Sequence, residues 1–396
     1  MGQLFCRRAA IALFSRRTGL GHPLWSCRTM SRIWLLTQQE ESRTRRIGGG
    51  SRTIGSLVTE TIYHFALQSH DARTAQREWK KDLLELKDKQ GGHTARARIF
   101  GQEGNVVWIY LNDGPVALSA SDGSKLADRS MIEQRNPNLS GLIPKEIDYY
   151  TYDNGLVITA ADSRRYKIQL SDYTAETYKP ASEEMFTNLS YMSTTWNGGY
   201  ATADFLTRQT RMNGHWLGFY TEREAADAGD DDFGRHISEP ESVVRDYARA
   251  CRGFWTARIG KTREFTEGAH DRLFDLTRIP ATPDFLEAGI LKKQGAQTPL
   301  PMQDPGGLIV AHRTRIDAEG RLALTRVDEQ LQPKWSTTLP FLELKNRFEF
   351  PDRLLLAGAV QITKNGATDW QDFIASVALA DGRMQAWNVT LEKAAE

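Results

Sequence analysis

The chain has 396 residues, with 51 Lys and Arg against 50 Asp and Glu, a net charge of +1, and no long basic stripe interleaved with aromatics. That balance argues against nucleic acid as a partner, because such binding leaves a basic footprint. Hydrophobic residues make up 40% and charged residues 26%, enough for a sizeable core under a solvated surface, and no run approaches the roughly 20 apolar residues of a membrane span.

In chain order, residues 1–32 read as a basic leader, disordered or a vestigial targeting segment. Arg7, Arg8, Arg16, Arg17, Arg28 and Arg32 precede the first acidic residue, Glu40. The apolar run from Ala9 to Phe14 is interrupted by Arg16 and Arg17, whereas a secretory signal needs about 7 to 15 apolar residues after its basic start. The three cysteines, Cys6, Cys27 and Cys251, lie far apart with no CxxC pair, so neither a zinc site nor a disulfide framework is indicated.

From residue 33 to residue 393 the pattern is short apolar runs broken by turns. Ile33–Thr37, Ile62–Leu67, Val106–Leu111, Val116–Ala120, Leu156–Ala160, Tyr166–Leu170, Leu308–Ala311, Leu322–Val327, Leu354–Ile362 and Phe373–Leu379 all have strand length. Asp113-Gly114, Asp122-Gly123, Asn154-Gly155, Asn365-Gly366 and Asp381-Gly382 supply turn chemistry, since Gly and Asn reach positive φ cheaply. Two short stretches read otherwise. Thr282 and Pro283 resemble an N-cap and first helical position with Gly289 as a stop, and Glu239–Cys251 has apolar residues at helical spacing that also suit a strand.

An internal repeat is the most informative feature. The stretches 64–83, 322–339 and 373–391 each carry an apolar strand, then Asp71, Asp328 or Asp381 at a turn, then a return strand bearing Trp79, Trp335 or Trp387. Residues 114–128 repeat the first half with Asp122, and with Leu126 in place of the Trp; residues 164–180 give a weaker copy around Asp172. A lone hairpin cannot bury its apolar face, so repeated hairpins must pack sheet against sheet. The three tryptophans are expected at equivalent buried places, as wedges between sheets.

At these residues the chain resembles the quinoprotein-like (PQQ-like) β-propeller repeat, Ala-x-Asp-x-x-Thr-Gly-x-x-x-Trp. Ser69, Asp71, Thr74, Ala75 and Trp79 fill that pattern, with Ser for Ala and Ala for Gly. The whole is also similar to a group of bacterial proteins sharing this propeller type, a likeness that carries no function with it. The resemblance implies an all-β fold: one β-propeller over 33–393, of about six to eight blades at ~40 to 50 residues each, with short helical insertions. By fold resemblance the protein would be periplasmic; it would be cytoplasmic if the leader is no export signal. Quinone-dependent dehydrogenases of this fold use adjacent cysteines and a bound calcium. The chain has no Cys-Cys pair, and no residue is matched to the calcium ligands, so no cofactor is assigned.

No residue is assigned to catalysis, to a cofactor or to a metal. Gly50 to Ser56 has glycine spacing like a phosphate loop, but Ser56 stands where its Lys belongs. His64 and His70 are six apart beside one strand and read as surface or strand-end histidines. The acidic loop around Asp227, Asp230, Asp231 and Asp232 fails the EF-hand register, because Arg235 occupies the place of its Gly. Aromatics next to glycines at Trp196–Tyr200 and Trp216–Tyr220, and at Phe254-Trp255, fit strands with Gly at bends, and such a cluster in loops would also suit a partner surface.

Two functions stay open. One is a non-catalytic scaffold or binding protein that meets a protein or small ligand through its loop face, chiefly through Met131–Lys145 and Ala225–Pro240. The other is a quinone-dependent oxidoreductase-like enzyme whose residues converge in a central funnel, for which His64, Asp204, Arg211 and His215 are the ionisable groups to locate.

Overall fold

The computed structural model describes residues 12–14, 32–47, 56–88, 97–179, 205–222, 224–225, 235–236, 251–264, 268–293, 306–315, 320–364 and 367–395. The described residues are mostly strand, in antiparallel sheets, as the turn-rich pattern predicts. The first sheet holds β1 (Ala12–Phe14), β2 (Arg32–Ile47), β3 (Ser56–Asp71) and β4 (Arg77–Asp88). The second holds β5 (Ala97–Glu103), β6 (Val106–Leu111), β7 (Gly114–Ser119) and β8 (Lys125–Asp128). After helix α1 (Arg129–Arg135) comes a third sheet of β9 (Tyr150–Tyr152), β10 (Leu156–Thr159), β11 (Arg165–Ile168) and β12 (Ala175–Thr177).

A ten-stranded sheet follows. It comprises β13 (Leu206–Thr207), β14 (Gln209–Met212), β15 (His215–Tyr220), β16 (Arg235–His236), β17 (Cys251–Glu264), β18 (Gly268–Arg278), β19 (Phe285–Leu291), β20 (Leu308–Arg313), β21 (Leu322–Val327) and β22 (Pro333–Thr338). It contains two meanders, β14-β15-β17-β18 and β19-β20-β21-β22, fused where Cys251 and Arg252 pair with Leu286 and Phe285. The last sheet runs β23 (Glu343–Glu349), β24 (Arg353–Lys364), β25 (Ala367–Ala378), β26 (Met384–Asn388), β27 (Lys393–Ala394). Among the described residues no helix is long and apolar enough to cross a membrane.

The chain divides into two compact units, residues 1–199 with 363–370, and residues 200–362 with 371–396. In the first unit the sheets pack in chain order. Trp34, Leu67, Ile99, Val107, Ile109 and Leu118 fill the space between the first and second sheets, whereas Val106, Trp108 and Tyr110 turn the other way onto Leu156, Ile158 and Ile168 of the third. β6 is therefore apolar without a break because both its faces are covered, and side chains alternate along a strand. In the second unit β20 does the same, with Leu308 and Val310 facing the Phe219–Phe254 cluster while Ile309 and Ala311 face the last sheet.

The repeat proves to be one turn geometry between the third and fourth strands of a meander. In four of these turns the first residue donates its N–H to the carbonyl five residues on: Asp71 to Gln76 (2.9 Å), Ser119 to Ser124 (2.8 Å), Gln169 to Thr174 (2.8 Å) and Ala378 to Arg383 (2.9 Å). The fifth residue, Ala75, Gly123, Tyr173 or Gly382, returns its N–H to the first carbonyl and takes φ of 57°, 70°, 60° or 71°. The β21–β22 turn is one residue shorter, with Leu331 at φ 61°.

The aspartates align differently from the sequence reading. Asp71 and Asp328 open their turns, whereas Asp122, Asp172 and Asp381 occupy the fourth place, where the first turn has Thr74. Both placements work for the same reason, because a carboxylate at either point accepts an N–H inside the turn. Asp71 Oδ1 takes Thr74 N at 2.7 Å, and Asp381 Oδ1 takes Arg383 N at 3.0 Å.

The tryptophans also sort in an unexpected way. A β-bulge just after the turn sets Trp79 opposite Ser69 and Trp335 opposite Arg326, and both indoles then lie against the next sheet's turn glycine. A Cβ added to Gly123 would fall 2.7 Å from the Trp79 ring, and one on Gly382 2.6 Å from the Trp335 ring. Trp335 Nε1 and Arg326 Nη1 both donate to Leu379 O at 3.1 Å; at the corresponding carbonyl, Ala120 O, the donor is Arg32 Nη1 at 2.9 Å. All three indoles are half-buried rather than buried, and Trp387 is not equivalent to the other two. Its hairpin lacks the bulge, so it faces Ile374, two residues farther from the turn. In the second sheet the bulge falls at Leu126, and Ala127, opposite Ala117, holds the place expected for Leu126.

Other expectations need correcting. The stretch from Thr282 to Gly289 is not helical: Phe285–Leu291 is β19, hydrogen-bonded to β20 on one side and to β13 and β17 on the other. Local capping signals lose there to burial of Ala288, Ile290 and Leu291 in a sheet. Ala12–Phe14, inside the stretch read as a leader, pairs with Trp34–Leu36, and residues 1–11 and 15–31 lie outside the described residues. The turn at Asn365-Gly366, the Gly-rich segment from Gly50 to Gly55, the acidic loop from Asp227 to Asp232 and Trp196–Tyr200 lie outside the described residues.

Candidate binding surface

The connection between the second and third sheets, residues 129–149, is the segment whose function the sequence raised most directly, as part of Met131–Lys145. It contains a helix, α1, where the sequence pattern predicts a connecting loop. Asp128 caps α1: its Oδ1 accepts Met131 N at 3.1 Å and Ser130 Oγ at 2.6 Å. Hydrogen bonding, first from Lys125 and then from Ser130, holds the Asp128 carboxyl down to about 2, so the cap stays charged across the ordinary pH range.

Asn136 ends the helix and fastens it to the third sheet. Its amide donates to Ile132 O (2.7 Å) and Tyr173 O (2.9 Å), and its Oδ1 accepts Ala175 N (2.6 Å). Two single-turn 3-10 helices follow, Pro137–Leu139 and Ile147–Tyr149. Ile132, Leu139 and Ile143 sink into the core between the second and third sheets. Two buried phenols tie down the far end: Tyr110 donates to Lys145 O and Tyr150 to Pro144 O. Burial, the largest influence, pushes the Tyr150 hydroxyl well above the usual phenol range, so it remains a donor.

The outer side of this fixed segment is amphiphilic. Met131 is 37% and Tyr149 47% exposed, among exposed Arg135, Asn138, Lys145, Glu146 and Asp148. A helix of about two turns would not hold its shape alone. Here the anchors hold it, so an exposed Tyr and Met are offered without an ordering cost on binding.

The chain matches no protein-family profile and no curated protein.

Of the ionisable groups named for a central funnel, Arg211 and His215 are exposed neighbours on the β14–β15 hairpin, whose turn is Asn213-Gly214. His64 is half-exposed on β3, with Nδ1 3.6 Å from Glu85; Asp204 lies outside the described residues. His70 is not at the surface. Its Nδ1 meets Ala75 O at 2.9 Å and its Nε2 meets Gln68 Oε1 at 3.2 Å, and burial lowers its pKa to about 4. It braces the first Asp turn in neutral form.

Sequence reading missed a buried ionic cluster in the second unit. Arg252, fully buried, pairs with Glu224 at 2.9 and 3.1 Å, and Arg208 reaches the same carboxylate at 3.0 Å. Thr221 and Glu224 form a reciprocal capping box, with Glu224 N to Thr221 Oγ1 at 3.0 Å and Thr221 N to Glu224 Oε2 at 2.8 Å. The Thr-x-x-Glu spacing was the available signal. The aromatic run Trp216–Tyr220 is core strand: Trp216 and Tyr220 stack at 6.0 Å over Gly218, where a Cβ would collide with both rings.

Proposed function

We propose that the protein is a non-catalytic β-propeller scaffold, its six successive meanders serving as blades, that presents residues 129–149 to a partner protein. The observation that carries the binding role is the contrast within that segment: every anchor points inward and is satisfied, while Met131 and Tyr149 stand exposed. The propeller reading is supported by the recurring turn and by the resemblance of Ser69, Asp71, Thr74, Ala75 and Trp79 to the PQQ-like repeat.

A photo-crosslinking residue placed at Met131 and, separately, at Tyr149 tests the proposal, with exposed Arg383 of the last sheet as control. The expected result is one common protein captured from both sites and not from the control. Capture of nothing from either site would overturn the binding role. So would turnover of a quinone-linked dye with an alcohol or sugar after addition of cofactor and calcium. An experimental structure whose sheets enclose no common axis would overturn the propeller.

A further inference from the structure

In the second unit, a cleft of about 490 Å³ opens between the last sheet and the Thr338–Pro340 segment that follows β22. Its origin lies in strand periodicity. Leu354, Leu356 and Val360 of β24 and Phe373, Ala375 and Val377 of β25 share one face of the sheet. At one end of that face Leu354, Leu356 and Val377 are covered by the preceding meander. Towards the other end Val360, Ile362 and Phe373 line open space, and Met384, paired with Val377, borders it from the covered end. The volume lies within the roughly 300 to 1,000 Å³ of small-molecule sites.

The charges at this cleft are one-sided. Arg321 and Lys393 line it together with apolar and neutral polar side chains, and among the described residues no carboxylate does. Arg321 donates Nη1 to Pro340 O at 2.7 Å, which fixes the guanidinium at the edge. Neither cation has a carboxylate within ion-pair distance among the described residues. Of the neutral polar groups, Asn388 donates Nδ2 to Gln371 Oε1 at 2.9 Å and accepts Leu391 N on Oδ1 at 2.8 Å.

We infer that this cleft binds a single-chain anionic amphiphile of the fatty-acid class, its carboxylate at Arg321 and Lys393 and its alkyl chain along Val360, Ile362, Phe373 and Met384. Two cations with no carboxylate partner among the described residues, beside an apolar wall open to solvent, favour a ligand that is charged at one end and apolar along the rest. The inference is independent of the proposed partner surface, which belongs to the other unit.

Calorimetric titration of the intact protein with octanoate, decanoate and dodecanoate, each below its micelle concentration, tests it. Each two-carbon extension is expected to tighten binding about tenfold, as burial of two methylenes requires. Dodecyltrimethylammonium and dodecanol are expected to bind at least about tenfold more weakly than dodecanoate. Lys393→Gln, at an exposed position, should weaken dodecanoate about fivefold to tenfold, and Ile362→Trp should abolish binding with an unchanged circular-dichroism spectrum. Arg321→Gln serves as the second charge variant, with its melting curve recorded because it also loses the Pro340 contact. Equal affinity for the cationic or neutral detergent, no dependence on chain length, or full binding by both Lys393→Gln and Ile362→Trp would each overturn the inference.

Discussion

Two junctions in the first unit solve one problem by different means. Between the first and second sheets, Trp79 rests on Gly123 and on Trp34, whose ring centroid is 5.4 Å away. Between the second and third sheets the corresponding residue is Ala127, and the missing volume comes from Ile132, Leu139 and Ile143 of the inserted connection. A single indole closes a junction with nothing left over. An inserted segment closes it and leaves an outer face to be used, which is why the candidate surface lies at the junction whose repeat has lost its tryptophan.

Breaking the indole junctions should have the largest effect. Trp79→Ala, and Trp335→Ala at the equivalent place in the second unit, are each expected to cost about 3 kcal/mol in urea unfolding, the low end for a core Trp because the indoles are half-buried, since each leaves a gap against a glycine turn. Trp387→Ala tests the distinction drawn from the bulge, and should cost clearly less than either. Equal losses for all three would restore the simple sequence alignment.

Next in size is a pH effect at the Trp79 hairpin. His70 is buried with a folded pKa of about 4, below its unfolded value of about 6.5. Its contribution is thus fully present above pH 6.5 and is lost as pH falls towards 4, by about 3 kcal/mol in all. His70→Gln should flatten stability over that window, which unfolding curves at pH 7, 5.5 and 4.5 can check.

The inserted junction depends instead on polar fastening. Asn136→Ala strands Tyr173 O and Ala175 N and should cost about 2 kcal/mol, with a parallel loss of crosslinking from Met131 and Tyr149. The smallest effect is expected at the helix cap, where Asp128→Ala should cost about 1 kcal/mol by thermal melting. If Asp128→Ala abolished capture while Asn136→Ala did not, the anchor hierarchy would be reversed.

Much of the framework was legible in residues alone. Val106–Leu111 and Leu322–Val327 are strands over the predicted spans, and Gly123, Asn154 and Gly382 take positive φ where turn chemistry put them. The candidate surface was legible only as a stretch lacking strand signal. Seven helical residues carry too little periodicity to be read, and this helix exists because Ile132 and Asn136 have neighbours to dock against.

By itself the sequence determined an antiparallel all-β chain with repeated Asp turns, because φ preferences and carboxylate-to-amide bonds act within a few residues. Tertiary structure decided which tryptophans match, since a single bulged residue shifts what a side chain faces without altering composition. It also decided that Thr282–Gly289 pairs as strand, because β13, β17 and β20 supply hydrogen bonds on both sides that no local cap could replace. The cleft beside Val360 and Phe373 likewise depends on where one sheet ends against the next, a length relation between distant segments that neither segment encodes alone.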